Sequence, residues 1–288
     1  MHVELVSVTT SDNVSLHGYL RTPPPAANGD LGLDLVICHH GVGGNFYNAS
    51  FFDGMGDELL ARGCASLRVN NRGHDQAYLT CGRQLGAAYE IIDDCRQDIT
   101  AWLDFAAQRG FKRIALWGHS LGAVKTVYFL GVQDDPRILC AVASSPPRFK
   151  NSNYRASKDG ERFQADVQRA DSLIAAGQPD GLLEAQVPVQ RWFSARTYLD
   201  KYGANARYDY FEHLPNVQKP LLLTVGSLEA GNVSFAPLVE EGPGFSSRWP
   251  RISFQNIQGA DHSYTSRTRE LWSDVSSWLS DAIAPVAA

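Results

Sequence analysis

The chain has 288 residues, a length at which α/β proteins commonly bury one large core in a single domain. Hydrophobic residues make up 44% and charged residues 20%, which is typical of an ordinary soluble globular protein. A net charge of −5 and the lack of any basic block argue against nucleic-acid binding and against attraction to anionic membranes.

The cysteines and the first residues indicate the compartment. No Cys-x-x-Cys pair occurs and the number of cysteines is odd, so we expect free thiols in a reducing compartment. Residues 1–5 show no charged leader before an apolar stretch, and no window approaches about 18 unbroken apolar residues. We therefore expect a cytoplasmic protein that is not associated with a membrane. The cysteines are Cys38, Cys64, Cys81, Cys95 and Cys140.

The predicted elements begin with two alternating segments, residues 3–8 and 14–20, which a Ser-Asp-Asn turn joins into a β-hairpin. A Pro-rich polar loop follows at 23–30. Beyond it, short apolar runs that predict buried strands alternate with longer amphipathic runs that predict helices. In chain order the strands are 35–38, 65–70, 113–117, 139–143, 221–225 and 252–257, and the helices are 51–62, 89–108, 123–130 and 267–283.

This order of elements predicts the fold class. An opening hairpin followed by alternating strands and helices indicates an α/β fold, with a mostly parallel, doubly wound sheet that has one antiparallel edge. Residues 149–217 interrupt the alternation, because they contain helical runs and many aromatics but no strong buried strand. Such a stretch is too long for a structureless connection. We predict a helical cap at 149–217, inserted into a core formed by 1–148 and 218–288.

Residues 118–122 read Gly-His-Ser-Leu-Gly, between a predicted strand and a predicted helix. A Gly-x-Ser-x-Gly sequence in this setting predicts a nucleophile elbow, a sharp turn that holds Ser120 in a strained backbone conformation. Gly118 and Gly122 suit the turn because a Cβ at either position would collide with the neighbouring strand and helix. The turn would expose Ser120 Oγ above the sheet edge, where the helix N-terminus favours an anion.

A serine hydroxyl becomes a good nucleophile when a histidine removes its proton and an acid holds that histidine in the right tautomer. On the elbow scaffold the chain order is serine, then acid, then histidine. Here the elbow is accompanied by a His-Gly loop at 40–44, a carboxylate after the penultimate strand and a histidine after the last strand. With these features the whole chain resembles the α/β-hydrolase superfamily, which implies an eight-stranded, mostly parallel sheet flanked by helices.

The resemblance also implies the roles of individual residues. His262, in the loop after the last strand, falls at the catalytic base, and Glu229 falls at the acid, where the family more often has aspartate. Asp261 is the rival acid because it adjoins the histidine, but adjacent side chains in a loop rarely face each other, so we expect it to shape the loop. The oxyanion donors would be the N–H groups of Leu121 and Val42, with Gly41 or Gly43 as alternatives to Val42.

Other motifs are interpreted without a chemical role. The segment Asn-Arg-Gly-His at 71–74 resembles a structural segment of the family that braces the oxyanion loop, so Arg72 and His74 are expected to be structural. The histidines show no metal-ligand spacing, and the glycines at 41–44 complete neither a phosphate-binding nor a dinucleotide motif. We expect no metal and no cofactor.

The resemblance implies a serine hydrolase that cleaves a carboxylic ester of a small molecule, because family members with serine at the elbow cleave acyl bonds. The 71–74 segment and the cap are similar to those of small-molecule carboxylesterases of the feruloyl or siderophore-ester type. An acyltransferase, a thioesterase or an amidase would use the same triad, so these activities stay open. A ligand-binding receptor without catalysis is the remote alternative. The sequence does not indicate an oligomeric state.

Overall fold

The computed structural model describes residues 3–24, 27, 29, 31–80 and 82–283. Cys81 and part of the predicted polar loop at 23–30 therefore lie outside the described residues. The strands are β1 (Glu4–Thr9), β2 (Ser15–Arg21), β3 (Leu35–His39), β4 (Ala65–Val69), β5 (Tyr78–Thr80), β6 (Arg83–Leu85), β7 (Ile114–His119), β8 (Ile138–Ser144), β9 (Leu182–Ala185), β10 (Arg191–Ser194), β11 (Leu221–Gly226) and β12 (Ile252–Ile257). The helices are α1 (Phe51–Ala61), α2 (Cys95–Gln108), α3 (Leu121–Val132), α4 (Asn151–Ala156), α5 (Gly160–Ala175), α6 (Ala195–Tyr202), α7 (Ala236–Glu241), α8 (Phe245–Arg248) and α9 (Thr268–Ile283).

Eight strands form one sheet in the order β1-β2-β4-β3-β7-β8-β11-β12. The opening hairpin is antiparallel and β2 pairs antiparallel with β4, whereas the remaining neighbours are parallel. Asn13 turns the hairpin with a φ of 63°, a conformation that asparagine tolerates better than most residues. The predicted fold class, a mostly parallel eight-stranded sheet with an antiparallel edge, is confirmed.

Helices cover both faces of the parallel strands. Every residue of β3, β4 and β11 is buried, as expected for strands covered on both sides. Along β3 the side chains alternate, so that Leu35 and Ile37 pack in the cluster that contains α2 and α3 residues. Val36 and Cys38 pack in the cluster that contains α1 and α9 residues. Because β7, β8, β11 and β12 are parallel neighbours, their carboxyl ends lie at one edge of the sheet.

The start of α2 differs from the prediction. The sequence pattern predicts a helix from residue 89, but the helix begins at Cys95 after a single 3₁₀ turn over Ile92–Asp94. The N–H of Ile92 donates to Asp200 and the N–H of Asp93 donates to Tyr208, so these groups bond to a distant segment instead of to a helical turn. Periodicity could not reveal this, because Ile92 also fits the apolar stripe of the helix.

Residues 149–217 lie between β8 and β11 and contain α4, α5 and α6, together with an antiparallel hairpin of β9 and β10. The sequence does not predict this hairpin, because four-residue strands that read Leu-Leu-Glu-Ala and Arg-Trp-Phe-Ser show no clear alternation of polar and apolar residues. The hairpin of β5 and β6 was missed for the same reason. The aromatic side chains of the segment pack mainly on one another, as in the pairs Tyr154–Phe163 and Tyr198–Tyr202. In the described ranges no helix has the length and apolar character needed to cross a membrane.

Candidate active site

Ser120 lies in the turn between β7 and α3, with φ 55° and ψ −121°. Gly118 and Gly122, two residues before and after Ser120, have no room for a side chain. A Cβ on Gly118 would lie 2.2 Å from the carbonyl oxygen of Gly122, and a Cβ on Gly122 would lie 2.4 Å from the carbonyl oxygen of His39. The surrounding strands and helix therefore hold Ser120 in a conformation that a non-glycine residue rarely adopts.

His262 connects Ser120 to a carboxylate. It lies in the loop between β12 and α9, and its Nε2 is 3.0 Å from Ser120 Oγ. Its Nδ1 is 2.7 Å from Glu229 Oε1. When Nδ1–H donates to the carboxylate, Nε2 is left to accept the serine proton, which is the tautomer that a general base requires.

Glu229 is buried, and hydrogen bonds fix the oxygen that does not face His262. It lies in the 3₁₀ turn Ser227–Gly231 that follows β11, and its side chain is only 4% exposed. Its second oxygen, Oε2, accepts hydrogen bonds from Ser145 Oγ at 2.5 Å and from the N–H of Gly226 at 2.8 Å. Ser145 Oγ is also 2.9 Å from the Tyr264 hydroxyl. One oxygen is thus fixed by the fold, and the other faces His262.

Asp261, the rival acid, does not face His262. Its Oδ1 accepts hydrogen bonds from the N–H groups of Ser263 at 3.0 Å and Thr265 at 2.8 Å. These bonds shape the loop that carries His262, in agreement with the role expected from the sequence.

The loop after β3 passes directly beside Ser120. A Cβ on Gly41 would lie 2.9 Å from Ser120 Cβ, so only glycine allows this approach. Val42 follows in the loop, and Leu121 is the first residue of α3. Within the described chain neither the N–H of Val42 nor that of Leu121 has a hydrogen-bond partner. Both donors remain available for an oxyanion.

A cavity of about 460 Å³ opens at Ser120. Its wall contains Ser120, His262 and three residues of the loop after β3, namely Gly41, Val42 and Gly44. Residues 149–217 contribute Phe149, Pro188, Val189 and Tyr202 to it. Four phenylalanines lie in the wall together with asparagine and serine side chains, and within the described chain none of the lining residues is aspartate or glutamate. The cavity is large enough for a small organic molecule. Its phenylalanines are Phe46, Phe52, Phe149 and Phe235.

Comparison with known proteins decides the family. The sequence pattern of the alpha/beta hydrolase family matches residues 35–275, most of the chain. The chain belongs to this family. No curated protein matches the chain in sequence. Family membership supports a hydrolase.

Several solved structures of low sequence identity share the fold of this hydrolase. The structure of Est1E from Butyrivibrio proteoclasticus with ferulic acid bound is 20% identical, over 97% of this chain and 100% of that one, with a TM-score of 0.69. GrgF from Penicillium sp. sh18 is 14% identical over 99% and 100%, with a TM-score of 0.71. The esterase Pf2001 from Pyrococcus furiosus is 19% identical over 98% and 94%, with a TM-score of 0.61.

Two further histidines of the hydrolase bond to the backbone of the loops that carry the site residues. His40 Nδ1 donates to the carbonyl of Gly41 at 2.7 Å, and its Nε2 accepts the N–H of Asn71 at 3.1 Å. Burial and the nearby Lys125 lower the pKa of His40 to about 3, so the ring is neutral. His119 Nε2 donates to the carbonyl of His262 at 2.7 Å, and burial lowers its pKa to about 4.

The residues at the two ends of the segment from Asn71 to Asp75 contact the oxyanion loop. The N–H of Asn71 donates to His40, and the N–H of Asp75 donates to the carbonyl of Gly44 at 3.1 Å. Arg72, between them, is buried and pairs with Asp98 and Asp12. His74 bonds to Asp75 and stacks on Tyr78.

Sequence reasoning missed Ser145 and His119 as supporting residues. Ser145 directly follows β8, at the same sheet edge as Ser120, so attention to strand ends could have identified it. No signal in the sequence marks His119, since the middle position of the elbow is variable. Among the described residues, no group of three or more histidine, cysteine, aspartate or glutamate side chains could hold a metal ion.

Proposed function

We propose that this hydrolase is a serine esterase that cleaves a carboxylic ester of a small molecule through an acyl-enzyme on Ser120. The observation that carries the proposal is the hydrogen-bonded series from Ser120 Oγ to His262 (3.0 Å) and on to Glu229 (2.7 Å), at the floor of a cavity. A buried carboxylate, a correctly oriented imidazole and a strained serine together form the arrangement that acyl transfer requires.

The reaction follows from these positions. Ser120 Oγ attacks the ester carbonyl carbon while His262 Nε2 takes the hydroxyl proton, and Glu229 stabilises the imidazolium that forms. The tetrahedral oxyanion accepts hydrogen bonds from the N–H groups of Leu121 and Val42. As the bond to the alcohol oxygen breaks, His262 gives its proton to that oxygen. A water molecule, deprotonated by the same imidazole, then attacks the acyl carbon. As the bond to Ser120 Oγ breaks, His262 returns the proton to that oxygen and the acid is released.

The cavity favours a compact substrate. About 460 Å³ suits a small acyl or aryl ester better than a polymer, and the phenylalanine-rich wall favours an apolar or aromatic group. The ferulic acid bound to Est1E and the esterase name of Pf2001 support the same substrate class. We assign residues 149–217 as the cap, because Pro188, Val189 and Tyr202 close the cavity from that side.

The buried free thiols support a cytoplasmic location, because a reducing compartment keeps such thiols free. They are Cys38, Cys64, Cys95 and Cys140.

A fluorophosphonate probe tests the proposed function. The probe should label the enzyme at Ser120, seen as a mass increase on the peptide that contains it, and the enzyme should hydrolyse 4-nitrophenyl esters. Ser120→Ala should abolish labelling and lower kcat by at least about 1,000-fold, because the nucleophile is lost. Ser263→Ala, which removes an exposed hydroxyl from the histidine loop, is the matched control and should keep both.

Two outcomes would contradict the proposal. If Ser120→Ala hydrolysed esters like the parent enzyme, another group would be the nucleophile. If the acyl group went mainly to an added alcohol or amine instead of water, the protein would be an acyltransferase.

A further inference from the structure

The loop beside Ser120 contacts an arginine that has no acidic partner among the residues described. Arg191, the first residue of β10, is half-buried. A Cβ on Gly43 would lie 2.5 Å from Arg191 Nη1, so the guanidinium packs directly on this loop. Nη1 donates to the uncharged Gln76 Oε1 at 2.8 Å. Arg191 forms no ion pair with any carboxylate of the described residues, and its Nε is buried without an acceptor.

Other buried arginines of the chain are paired. Arg68 contacts Asp53, Arg72 contacts Asp98, and Arg148 contacts Asp209. A cation that loses hydration without gaining a counter-charge is unfavourable, so such a group is expected where an anion binds from outside.

Tyr202 adds a second free donor on the same side. It is buried at the end of α6, lines the cavity, and its hydroxyl has no hydrogen-bond partner among the described residues. Burial and the neighbouring Tyr154 raise the pKa of Tyr202, while the positive charge of Arg191 acts against that rise. The hydroxyl therefore stays protonated, and the Tyr202 ring lies 6.0 Å from the ring of Phe193 on β10, the strand that begins with Arg191.

The residues that line the cavity bring no negative charge that would repel an anion. Within the described chain none of the lining residues is acidic, Arg68 is paired with Asp53, and the buried rings of His40 and His119 are neutral. Asp75, on the segment that contacts Gly44, already accepts hydrogen bonds from Asn45, Tyr47 and His74. These three hydrogen bonds stabilise the negative charge of Asp75.

We propose that Arg191, with Tyr202, binds a carboxylate carried by the ester substrate, so that the enzyme prefers esters with a free carboxylate to neutral esters of the same shape. The inference rests on the proposed esterase function. Guanidinium N–H groups match the planar carboxylate in geometry and charge. Arg191 does not line the cavity itself, but it contacts Gly43 between the lining residues Val42 and Gly44, so the carboxylate would lie at the edge of the cavity.

Two matched substrate pairs test the inference and show which half of the ester carries the carboxylate. The acyl pair is mono-4-nitrophenyl adipate and 4-nitrophenyl hexanoate. The alcohol pair is 4-acetoxybenzoate and its methyl ester. In one of the pairs the carboxylate substrate should have a kcat/KM about tenfold or more above that of the neutral substrate. A charge-assisted hydrogen bond from Arg191 to the carboxylate would provide a difference of this size.

Arg191→Gln should reduce that ratio at least about tenfold, chiefly through a higher KM for the carboxylate substrate. Arg191→Lys should keep part of the preference, because it keeps the charge but not the planar fork. Tyr202→Phe should reduce the ratio less than Arg191→Gln does. Arg196→Gln is the matched control, since Arg196 is exposed and pairs with Asp180, and it should leave the ratio unchanged.

The outcomes separate the two proposals. If the parent enzyme hydrolyses the neutral esters without preferring the carboxylate member of either pair, the carboxylate site is wrong and the esterase stands. An unchanged ratio in Arg191→Gln would also overturn the site. If no ester is hydrolysed and a fluorophosphonate leaves Ser120 unlabelled, the esterase function fails, and the carboxylate site fails with it.

Discussion

Glu229 has little freedom to move, because each of its carboxylate oxygens has a fixed partner. Ser145 Oγ contacts both Glu229 and Tyr264, and Ser145 itself has a φ of 49°. A buried residue in this uncommon conformation is maintained by its surroundings. We infer that Ser145 fixes the orientation of Glu229 and, through it, the tautomer of His262.

Ser145→Gly tests this support. Glycine removes the hydroxyl and tolerates the positive φ, so the change isolates the lost hydrogen bond. We expect kcat to fall about 5- to 30-fold with little change in KM, because a buried carboxylate oxygen loses a donor worth about 1–2 kcal/mol. Steady-state kinetics on a 4-nitrophenyl ester measure both values.

Ser280→Ala is the control for this experiment, since Ser280 is exposed on α9, and it should behave like the parent. An unchanged kcat in Ser145→Gly would show that Gly226 alone suffices to hold Glu229.

At the scale of elements, α6 is joined to the core by buried charges. Lys201 on α6 lies 3.2 Å from Glu90, and Lys125 on α3 contacts the other oxygen of the same carboxylate. All three side chains are at most 2% exposed. A Cβ on Gly73 would lie 2.1 Å from Glu90 Oε1, so glycine leaves room for this carboxylate. Lys125 and Lys201 thus share one carboxylate as their ion-pair partner.

This charge balance predicts unequal effects of two substitutions on stability. Glu90→Gln leaves Lys125 and Lys201 buried without a counter-charge and should cost about 3–5 kcal/mol in the free energy of unfolding. Lys201→Met leaves a neutral pair of Glu90 and Lys125 and should cost clearly less. Urea unfolding followed by circular dichroism measures both. Equal losses for the two variants would mean that packing, not charge, dominates this contact.

The main elements could be predicted from the sequence because their signals are local. The strand 252–257 has the bounds predicted for it, and α9 begins one residue later than predicted. The start of α2 and the β9–β10 hairpin could not be predicted, since both depend on contacts with distant segments. One example is the N–H of Ile92 donating to Asp200.

At the scale of the whole molecule, three histidines are buried in neutral form near the site. Burial lowers the pKa of His39 to about 4, of His40 to about 3 and of His119 to about 4. In the unfolded chain these rings would take up protons near pH 6.5. Between that pH and about 4 the unfolded state therefore binds more protons than the native state.

Stability should consequently fall as the pH decreases from 6.5 to 5. The contribution of the three histidines is fully present above pH 6.5 and is lost progressively below it, by up to about 4 kcal/mol per pH unit. Glu90 does not change the stability between pH 6.5 and 5. Burial raises its pKa, but Lys125 and Lys201 lower it further, to about 2. The contribution of Glu90 to stability is therefore lost only below about pH 4.5. Urea unfolding at pH 7.5, 6.5, 5.8 and 5 gives the slope.

His39→Asn should reduce this slope by about a third, because one of the three groups is removed. His17→Asn, at an exposed position, should leave it unchanged. A free energy of unfolding that is constant from pH 7 to 5 would show that the buried rings are not neutral in the native state.

The sequence by itself determined the sheet, the elbow and the order of serine, acid and histidine along the chain. Apolar runs and the glycines at 118 and 122 impose these features over a few residues, so they are visible locally. Only the tertiary structure decided that Glu229, not Asp261, meets His262, and that Arg191 faces Gly43. These contacts join residues far apart in the chain, such as His262 and Ser120, which are 142 positions apart. Their geometry depends on how strands and loops pack, and no local pattern specifies that packing.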